Sequence, residues 1–262
     1  MEHTLHITEM QRADIDRACA LQPADRWLRG RMYWHMITPY ALLVHAELNG
    51  AYVGHGCATV FHDSGSVNEV HVQPLRDAAT IGSALLKDVL ARMEAEGATR
   101  QLTLAAPRDQ PLFASFGFLP EGDVFEYGYG KFLQATRDEV VNLEPEHILG
   151  VLHLDRQATG EDREHLIREH LYLGSVYQEG SRIRGFSLPL LGHGLIVADS
   201  PDVGLELQRW LFPIQPMVHM PEGQLAGHAH LMKQGYVADY PCMRMVRGPR
   251  PAYRPAMIFA YP

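Results

Sequence analysis

Cysteine is scarce in this chain, and long apolar runs are missing. The three cysteines, Cys19, Cys57 and Cys242, are odd in number and far apart, so they predict thiols in a reducing compartment and not a disulfide framework or a zinc knuckle. No stretch approaches the roughly 18 consecutive apolar residues of a membrane span, and Met1–Thr4 lacks the charged-then-apolar order of a leader. We therefore expect a cytoplasmic protein without a membrane partner.

Positive charge is also in deficit. The 262 residues carry a formal net charge of −8, whereas a nucleic-acid groove requires a basic face. Apolar residues make up 46% of the chain and charged residues 21%, a globular balance with enough core material for one large or two ordinary domains. Because no G-x-S-x-G sequence is present, a serine hydrolase has no support. We expect no nucleic-acid partner.

The most informative stretch runs from Val67 to Gly97. Val67–Val72 is a β-forming run that Pro74 ends, and from Ile81 the apolar residues recur with helical spacing. A strand, a tight loop and an amphipathic helix are therefore predicted. The start of such a helix leaves backbone N–H groups free, so residues 78–83 form a predicted anion site, with phosphate as the expected anion.

The residues before this stretch predict a meander. A short strand is predicted at Leu5–Ile7, and two helices are predicted at Gln11–Leu21 and Trp27–Ile37. Asn49-Gly50 then lies between the alternating segments Ala41–Leu48 and Ala51–Phe61, which predicts a hairpin. A turn at Asp63–Ser66 leads into the Val67 strand.

The residues after Gly97 continue with a strand at Gln101–Ala106. A short helix starts within residues 107–111 and ends at Phe113–Phe118, and Phe125–Phe132 supplies the last strands of this half.

The order V-x-V-x-P, a loop ending in I-G-S-A-L-L and an amphipathic helix resembles the acetyl-CoA-binding core of the GNAT N-acetyltransferases. The resemblance implies an α/β (α+β) fold, with a mixed, mostly antiparallel sheet flanked by helices, and acetyl-CoA as co-substrate. It also implies that the N–H of Val70 or Val72 binds the thioester carbonyl. The residues that it places at the cofactor are Val70, His71, Val72, Ala78, Ala79, Thr80, Ile81, Gly82, Ser83 and Phe113.

Several positions depart from the family's Arg/Gln-x-x-Gly-x-Gly/Ala loop. Asp77 stands where the family prefers Arg or Gln, Ala78 where a glycine is common, and Thr80 at the first signature glycine, whereas Gly82 matches. Phe113 replaces the tyrosine that in the family often protonates the leaving thiolate, and phenylalanine has no proton to give. We expect it at the mouth of the cleft, where water or another side chain must supply the proton, unless this half is catalytically weakened.

An amine acceptor must lose a proton before it attacks the thioester. The family often draws its base from the strand that holds Val70, directly or through water, so Glu69 and His71 are the candidate catalytic residues. They share one face of the strand, and Val70 and Val72 share the other. His55 on the neighbouring strand is a third candidate, and the alternative for Glu69 is a solvated carboxylate on the strand surface.

The chain also repeats itself. Residues 231–248 restate the helix, Gly-aromatic and strand pattern of Phe113–Gly130. Two tracts, Leu154–Arg163 and Arg244–Gly248, resemble the C-terminal domain of tandem-GNAT proteins. We therefore predict two GNAT-like domains, residues 1–137 and 138–262, with the junction in the polar region 134–143.

The second domain has a poorer anion site. Its counterpart of the phosphate loop, Asp199–Gly204, contains two carboxylates, a proline without an N–H group and one glycine. Leu231 stands at the position of the family's tyrosine. We expect this half to complete the packing and the acceptor pocket of the first half, and not to bind a second acetyl-CoA.

The sequence thus predicts an acetyl-CoA-dependent N-acetyltransferase that acts on a small-molecule or protein amine. The alternative is a non-catalytic acyl-CoA- or ligand-binding protein on a degenerate tandem GNAT scaffold, indicated by Asp77, Thr80 and Phe113. No metal site is expected, because His228 and His230 lie on different faces of a predicted helix. A monomer and a homodimer are both compatible with the sequence.

Overall fold

A computed structural model describes residues 4–75, 77–131 and 134–262. It divides the chain into two compact units. Unit 1 comprises the described residues up to Leu104, with Arg108–Leu119 and Met245–Pro249; unit 2 comprises Ala105–Pro107, Pro120–Arg244 and Arg250–Pro262. The domain boundary between residues 137 and 138 remains a prediction. Met1–His3, Arg76 and Phe132 lie outside the described residues. The expected absence of a leader and the predicted strand end at Phe132 therefore remain predictions.

The helices and strands of unit 1 follow the predicted order. They are β1 (Leu5–Glu9), α1 (Arg12–Leu21), α2 (Leu28–Ile37), β2 (Ala41–Leu48), β3 (Ala51–Phe61), β4 (Ser64–Val72), α3 (Ala78–Ala95), β5 (Arg100–Ala105) and α4 (Gln110–Ser115). The hairpin of β2 and β3 is confirmed with its predicted bounds, and its turn residues Asn49 and Gly50 have positive φ angles of 52° and 80°.

The predicted turn at Asp63–Ser66 is wrong in its extent. β4 begins at Ser64, which lies opposite Phe61, so the turn is confined to His62 and Asp63. Gly65 and Ser66 belong to the strand because they pair with β3. This pairing outweighs the preference of glycine and serine for turns.

The strands of unit 1 form a sheet in the order β1-β2-β3-β4-β5. Neighbouring strands are antiparallel except for β4 and β5, which are parallel. α3 packs closely on one face, where glycines replace side chains: a Cβ at Gly56 would lie 2.8 Å from Val89, and one at Gly65 would lie 2.7 Å from Met93. The opposite face carries α1 and α2, with a core of residues Met10, Ile15, Ala18, Leu28, Met32, Leu43, Tyr52 and Cys57.

Unit 2 contains the remaining elements. They are β6 (Leu119–Gly128), β7 (Val140–Asn142), α5 (Ile148–Thr159), α6 (Glu164–Glu169), β8 (Ser175–Glu179), β9 (Arg182–Leu188), β10 (Leu195–Ala198), α7 (Pro201–Leu211), β11 (Val218–Pro221), α8 (Leu225–Lys233), β12 (Val237–Arg247) and β13 (Ile258–Ala260). An antiparallel sheet has the order β13-β10-β9-β8-β7, and separately β6 lies between β12 and β11. The last three residues of β12, Met245–Arg247, belong to unit 1, where they lie beside β5.

The tract Leu154–Arg163 forms the end of α5 and the turn after it. Arg163 donates to both carboxylate oxygens of Asp155, at 3.1 and 2.5 Å, and both side chains are buried. Gly160 ends the helix with a φ of 71°, and a Cβ there would lie 2.6 Å from the backbone N of Ala252. This tract therefore has a structural explanation within unit 2. Among the described residues, no helix combines the length and the apolar character needed to span a membrane.

Candidate active site

An opening between β4 and β5 is the main feature of unit 1. The two strands are paired from Ser64 and Arg100 up to Val67 and Thr103, and their register ends there. Beyond this point Glu69–Val72 is paired with β3 but with no other strand among the described residues. β4 therefore presents one unpaired edge to the space where β5 has separated from it.

The backbone direction of β4 fixes which N–H groups face this opening. The N–H of Gln73 donates to the Val53 carbonyl of β3 at 2.8 Å. Because successive N–H groups of a strand point to opposite sides, those of Val70 and Val72 point away from β3 and into the opening. This is the geometry that the sequence resemblance requires of a thioester carbonyl site, although the binding role itself remains a prediction.

The start of α3 lies after β4 and supplies further donors. Ala78 donates to the Leu75 carbonyl at 3.2 Å, and Ile81 begins the helical pattern by donating to Asp77 at 3.0 Å. The N–H groups of Ala79 and Thr80 have no partner among the described residues. Anion binding at this end of the helix, which the sequence predicts, remains a prediction.

The expectation that all of residues 78–83 present free N–H groups is therefore too broad. The helix begins at Ala78, three residues before Ile81, so the N–H groups of Ile81, Gly82 and Ser83 are used within it. The Ser83 hydroxyl also donates back to the Ala79 carbonyl at 2.9 Å. Any contact of these three residues with a phosphate remains a prediction.

Gly82 faces β4 at a position where a side-chain Cβ would fit. A Cβ at this position would lie 3.5 Å from Cγ2 of Val72 and 3.8 Å from Cδ2 of Leu112, which are ordinary contact distances. Packing within unit 1 therefore does not require a glycine here. The approach of a ligand to the backbone at this position, which the sequence resemblance implies, remains a prediction.

A cluster of polar side chains lies on the face of β3 and β4 that carries α1 and α2. The Tyr52 hydroxyl lies 2.6 Å from Nδ1 of His55, whose Nε2 lies 3.6 Å from Oε2 of Glu69. Nη2 of Arg31, on α2, lies 3.7 Å from the same carboxylate oxygen. The ring of His71 stacks on that of His55 with centroids 5.3 Å apart. The structure thus brings together all three sequence-predicted base candidates.

Charge and burial set the protonation of this cluster. Burial acts to raise the pKa of Glu69, but the neighbouring His55 side chain and the charge of Arg31 outweigh it, so the pKa lies below its ordinary value. Burial lowers the pKa of His71. At neutral pH Glu69 is therefore ionised and His71 is neutral, and both are able to accept a proton.

Exposure separates the three candidates. The His55 side chain is 1% exposed, whereas that of Glu69 is 32% exposed and that of His71 is half-buried. His55 therefore cannot contact a substrate directly without rearrangement. Glu69 is the member of the cluster that combines a negative charge with access to solvent.

Phe113 differs from its predicted position. Its side chain is buried and packs edge-on against Phe118, with ring centroids 5.3 Å apart. The expectation that it lies at the mouth of the cleft within reach of water is therefore wrong. α4 is short, and Phe113 packs it against the residues that follow it. The sequence pattern did not distinguish this packing role from a cleft-lining position.

Sequence reasoning missed two members of the cluster, Tyr52 and Arg31. Tyr52 lies three residues before His55, a spacing that places the two on opposite faces of a regular strand. Arg31 lies on α2, far from Glu69 in the sequence. Only the tertiary structure brings them to the same place, so no local signal identified them.

Other polar clusters have partners within the chain. Asp14, His45 and Glu47 could supply three metal ligands, but Arg17 donates to Asp14 at 2.8 Å and also contacts Glu47, so the chain itself supplies a cation to both carboxylates. In unit 2, the two ring nitrogens of His228 lie 2.8 Å from the Tyr127 hydroxyl and 3.0 Å from a backbone carbonyl.

Among its described residues, unit 2 has no equivalent opening at its own strand and helix. β10, which precedes α7 as β4 precedes α3, is paired with β9 on one side and with β13 on the other. Gly204 of α7 lies against Phe259 of β13, and a Cβ there would lie 2.2 Å from that ring. The C-terminal strand thus occupies the place beside β10 that is open beside β4.

Comparison with known proteins agrees with this architecture. A model of the GNAT acetyltransferase family matches residues 9–118, and a GNAT acetyltransferase domain model matches residues 151–260. No curated protein matches the sequence.

Three solved structures illustrate the fold. A protein from Pyrococcus horikoshii assigned as an acetyltransferase is 18% identical, with a TM-score of 0.81 over 98% of this chain and 93% of that one. A tandem GNAT protein from the clavulanic acid biosynthesis pathway is 12% identical, with a TM-score of 0.61 over 94% and 98%. A GCN5-related N-acetyltransferase from Kribbella flavida is 13% identical, with a TM-score of 0.57 over 94% and 71%. At these identities the likeness concerns the fold alone.

Proposed function

Because the chain belongs to the GNAT acetyltransferases and carries two of their domains in tandem, we propose that unit 1 transfers the acetyl group of acetyl-CoA to an amine. The observation that carries this proposal is the opening between β4 and β5, next to the start of α3, where the N–H groups of Ala79 and Thr80 have no partner among the described residues. A thioester and a pyrophosphate require these two kinds of donor.

The residues of the opening fit such a ligand. The N–H of Val70 or Val72 would bind the thioester carbonyl and stabilise the charge that develops on its oxygen. The N–H groups of Ala79 and Thr80 would bind the pyrophosphate at the positive end of α3. The negative charge of Asp77 is unfavourable for pyrophosphate binding. Arg108 is a positive group in this region, because its exposed side chain is close enough to lower the pKa of His71.

We propose Glu69 as the general base. It is ionised at neutral pH, it has access to solvent, and it lies one residue before Val70, on the strand that lines the opening. The amine would give its proton to Glu69, directly or through a water molecule, as it attacks the thioester. His71, neutral and stacked on His55, is the second candidate for this role.

Acetyl-CoA binding tests the proposal first. Acetyl-CoA at hundreds of micromolar should raise the melting temperature of the protein, because a ligand that binds only the folded state stabilises it. A panel of small and peptide amines, followed by release of the coenzyme A thiol, then tests transfer. If neither acetyl-CoA nor coenzyme A changes the melting temperature, the proposed site does not exist.

A non-catalytic acyl-CoA-binding protein is the second candidate. Buried Phe113 stands where the family has a proton donor, and this observation favours the second candidate. Stabilisation by coenzyme A without thiol release from any amine would support binding alone. For unit 2 we propose no acetyl-CoA site, since β13 is paired with β10 at the corresponding place.

A further inference from the structure

The geometry of the polar cluster points to positioning roles for two residues that do not contact a substrate. We propose that Tyr52 fixes His55 in the tautomer that carries its proton on Nε2, and that His55 in turn holds Glu69 ionised and oriented. The assignment of the tautomer is independent of any activity. Only its kinetic consequence rests on the proposed function of Glu69.

The Tyr52 hydroxyl determines the tautomer. It is buried, and burial raises the pKa of Tyr52 above its usual range, so the phenol remains protonated at neutral pH. Its proton needs an acceptor, and Nδ1 of His55 lies 2.6 Å from the oxygen. A nitrogen that accepts a hydrogen bond carries no proton, so the single proton of the neutral imidazole is on Nε2.

Nε2 of His55 faces Glu69. It is buried without a hydrogen-bond partner among the described residues, and Oε2 of Glu69 lies 3.6 Å away. A donor at this position attracts the carboxylate and favours its charged form. Since His55 is held by Tyr52 on its other side, it fixes the direction in which the Glu69 carboxylate is attracted.

The remaining charged and titratable groups around the cluster come from several elements. Those that act on Tyr52, Glu69, His71 or their partners are Arg17, Cys19, Asp25, Arg31, Cys57 and Arg108. His45 lies across the β2–β3 ladder from His55, and His35 contacts Asn68 at 3.3 Å. Arg31 and His71 also draw Glu69 toward its ionised form, so loss of Tyr52 should weaken this stabilisation without abolishing it.

Nitrogen NMR of the histidine rings measures the tautomer directly. The protein is labelled with ¹⁵N-histidine, and the ring signals of His55 are assigned by their loss in His55→Gln. At pH 7 these signals should be those of a neutral imidazole protonated at Nε2. Tyr52→Phe should give a mixture of tautomers, whereas Tyr33→Phe, which removes an exposed hydroxyl that accepts from Arg12, should not. A wild-type His55 protonated at Nδ1, or at both nitrogens, would overturn the inference even if no variant folds.

The kinetic consequence is a change in pH profile. If His55 donates to Glu69 less often in Tyr52→Phe, the pKa of Glu69 rises, and the acid limb of kcat/KM moves to higher pH. A shift of one pKa unit lowers the rate about tenfold on that limb. KM for acetyl-CoA should not change. An unchanged acid limb in a folded Tyr52→Phe variant would contradict the positioning role, whereas absence of turnover in the wild type would count against the proposed function alone.

Discussion

Thr103 lies directly opposite Val67 in the parallel register of β4 and β5, and its hydroxyl donates a hydrogen bond to the Val67 carbonyl at 3.1 Å. This is the last paired position before the strands separate. The side chain therefore satisfies a backbone acceptor at the point where the opening begins.

Thr103→Val removes this hydrogen bond with little change of shape. Because the site is buried, an acceptor left without a partner should lower the free energy of unfolding by about 1–3 kcal/mol. Coenzyme A affinity should also fall, since the edge of the opening is no longer fixed. Thr99→Val is the matched control, because the exposed Thr99 hydroxyl also donates to a backbone carbonyl, that of Asp63, at 3.2 Å. Equal losses of stability in the two variants, measured by urea unfolding, would contradict this reading.

Gly82 separates the requirements of folding from those of binding. Gly82→Ala should stabilise α3, by up to about 1 kcal/mol, because a Cβ fits and alanine favours helix. If the backbone at this position approaches a phosphate, the same change should weaken coenzyme A binding, and Gly82→Glu should abolish it by adding a like charge. Calorimetric titration of both variants measures this. Full affinity in Gly82→Glu would place the ligand elsewhere.

The two base candidates predict different pH profiles. Glu69→Gln should reduce kcat by about 10²–10⁴-fold if Glu69 is the base, whereas His71→Gln should retain most of the rate. A base works when it is unprotonated, so activity falls as pH drops through its pKa. That pKa lies below 4.5 for Glu69 and below 6.5 for His71. A wild-type acid limb that disappears in His71→Gln would transfer the role to His71.

Phe113→Tyr tests the buried position of this ring. The added hydroxyl has to find a partner in an environment packed against Phe118, so we expect a loss of about 1–3 kcal/mol in the free energy of unfolding. Recovery of that stability on adding coenzyme A would indicate that the hydroxyl reaches the thiol. A faster turnover in this variant would show that a proton donor is what the wild type lacks. Unchanged stability without ligand would contradict the expected cost.

Four histidines make stability depend on pH. Burial lowers the pKa values of His35, His71, His219 and His230, so below pH 6.5 the unfolded chain binds more protons than the folded one. Stability should therefore decrease as pH drops from 7 toward 5. Melting temperatures measured across this range test the sign, and His71→Gln should flatten the dependence. A melting temperature that rises on acidification would contradict it.

Local signals predicted much of unit 1. The Asn49-Gly50 turn and the helical period of α3 depend on residues close in sequence, and both were confirmed. The opening itself was implied by resemblance and not by any property of Val67 or Thr103. A hydrogen-bond register that stops after four pairs leaves no mark on composition or periodicity.

The polar cluster required long-range information. Bulges between Ala46 and Glu47 and between Cys57 and Ala58 shift the register on both sides of β3. Strand alternation alone therefore could not show that Tyr52 reaches His55. The pairing of β13 with β10 is equally remote, because about 60 residues of chain separate the two strands, and a contact of that kind follows from the assembled fold and not from local preference.

Met245–Pro249 complete unit 1, although they lie near the end of the chain. Arg247 donates to Gln101 at 2.9 Å and to Glu94 at 2.6 Å. Gly248 has a φ of 91° and lies so close to the Thr99 carbonyl oxygen that a Cβ would be 2.4 Å from it. A chain leaving the ribosome thus carries the part of this unit that ends at Leu119 long before it carries Met245–Pro249. During synthesis, unit 1 therefore cannot complete its structure until the chain has been extended through unit 2 as far as Pro249.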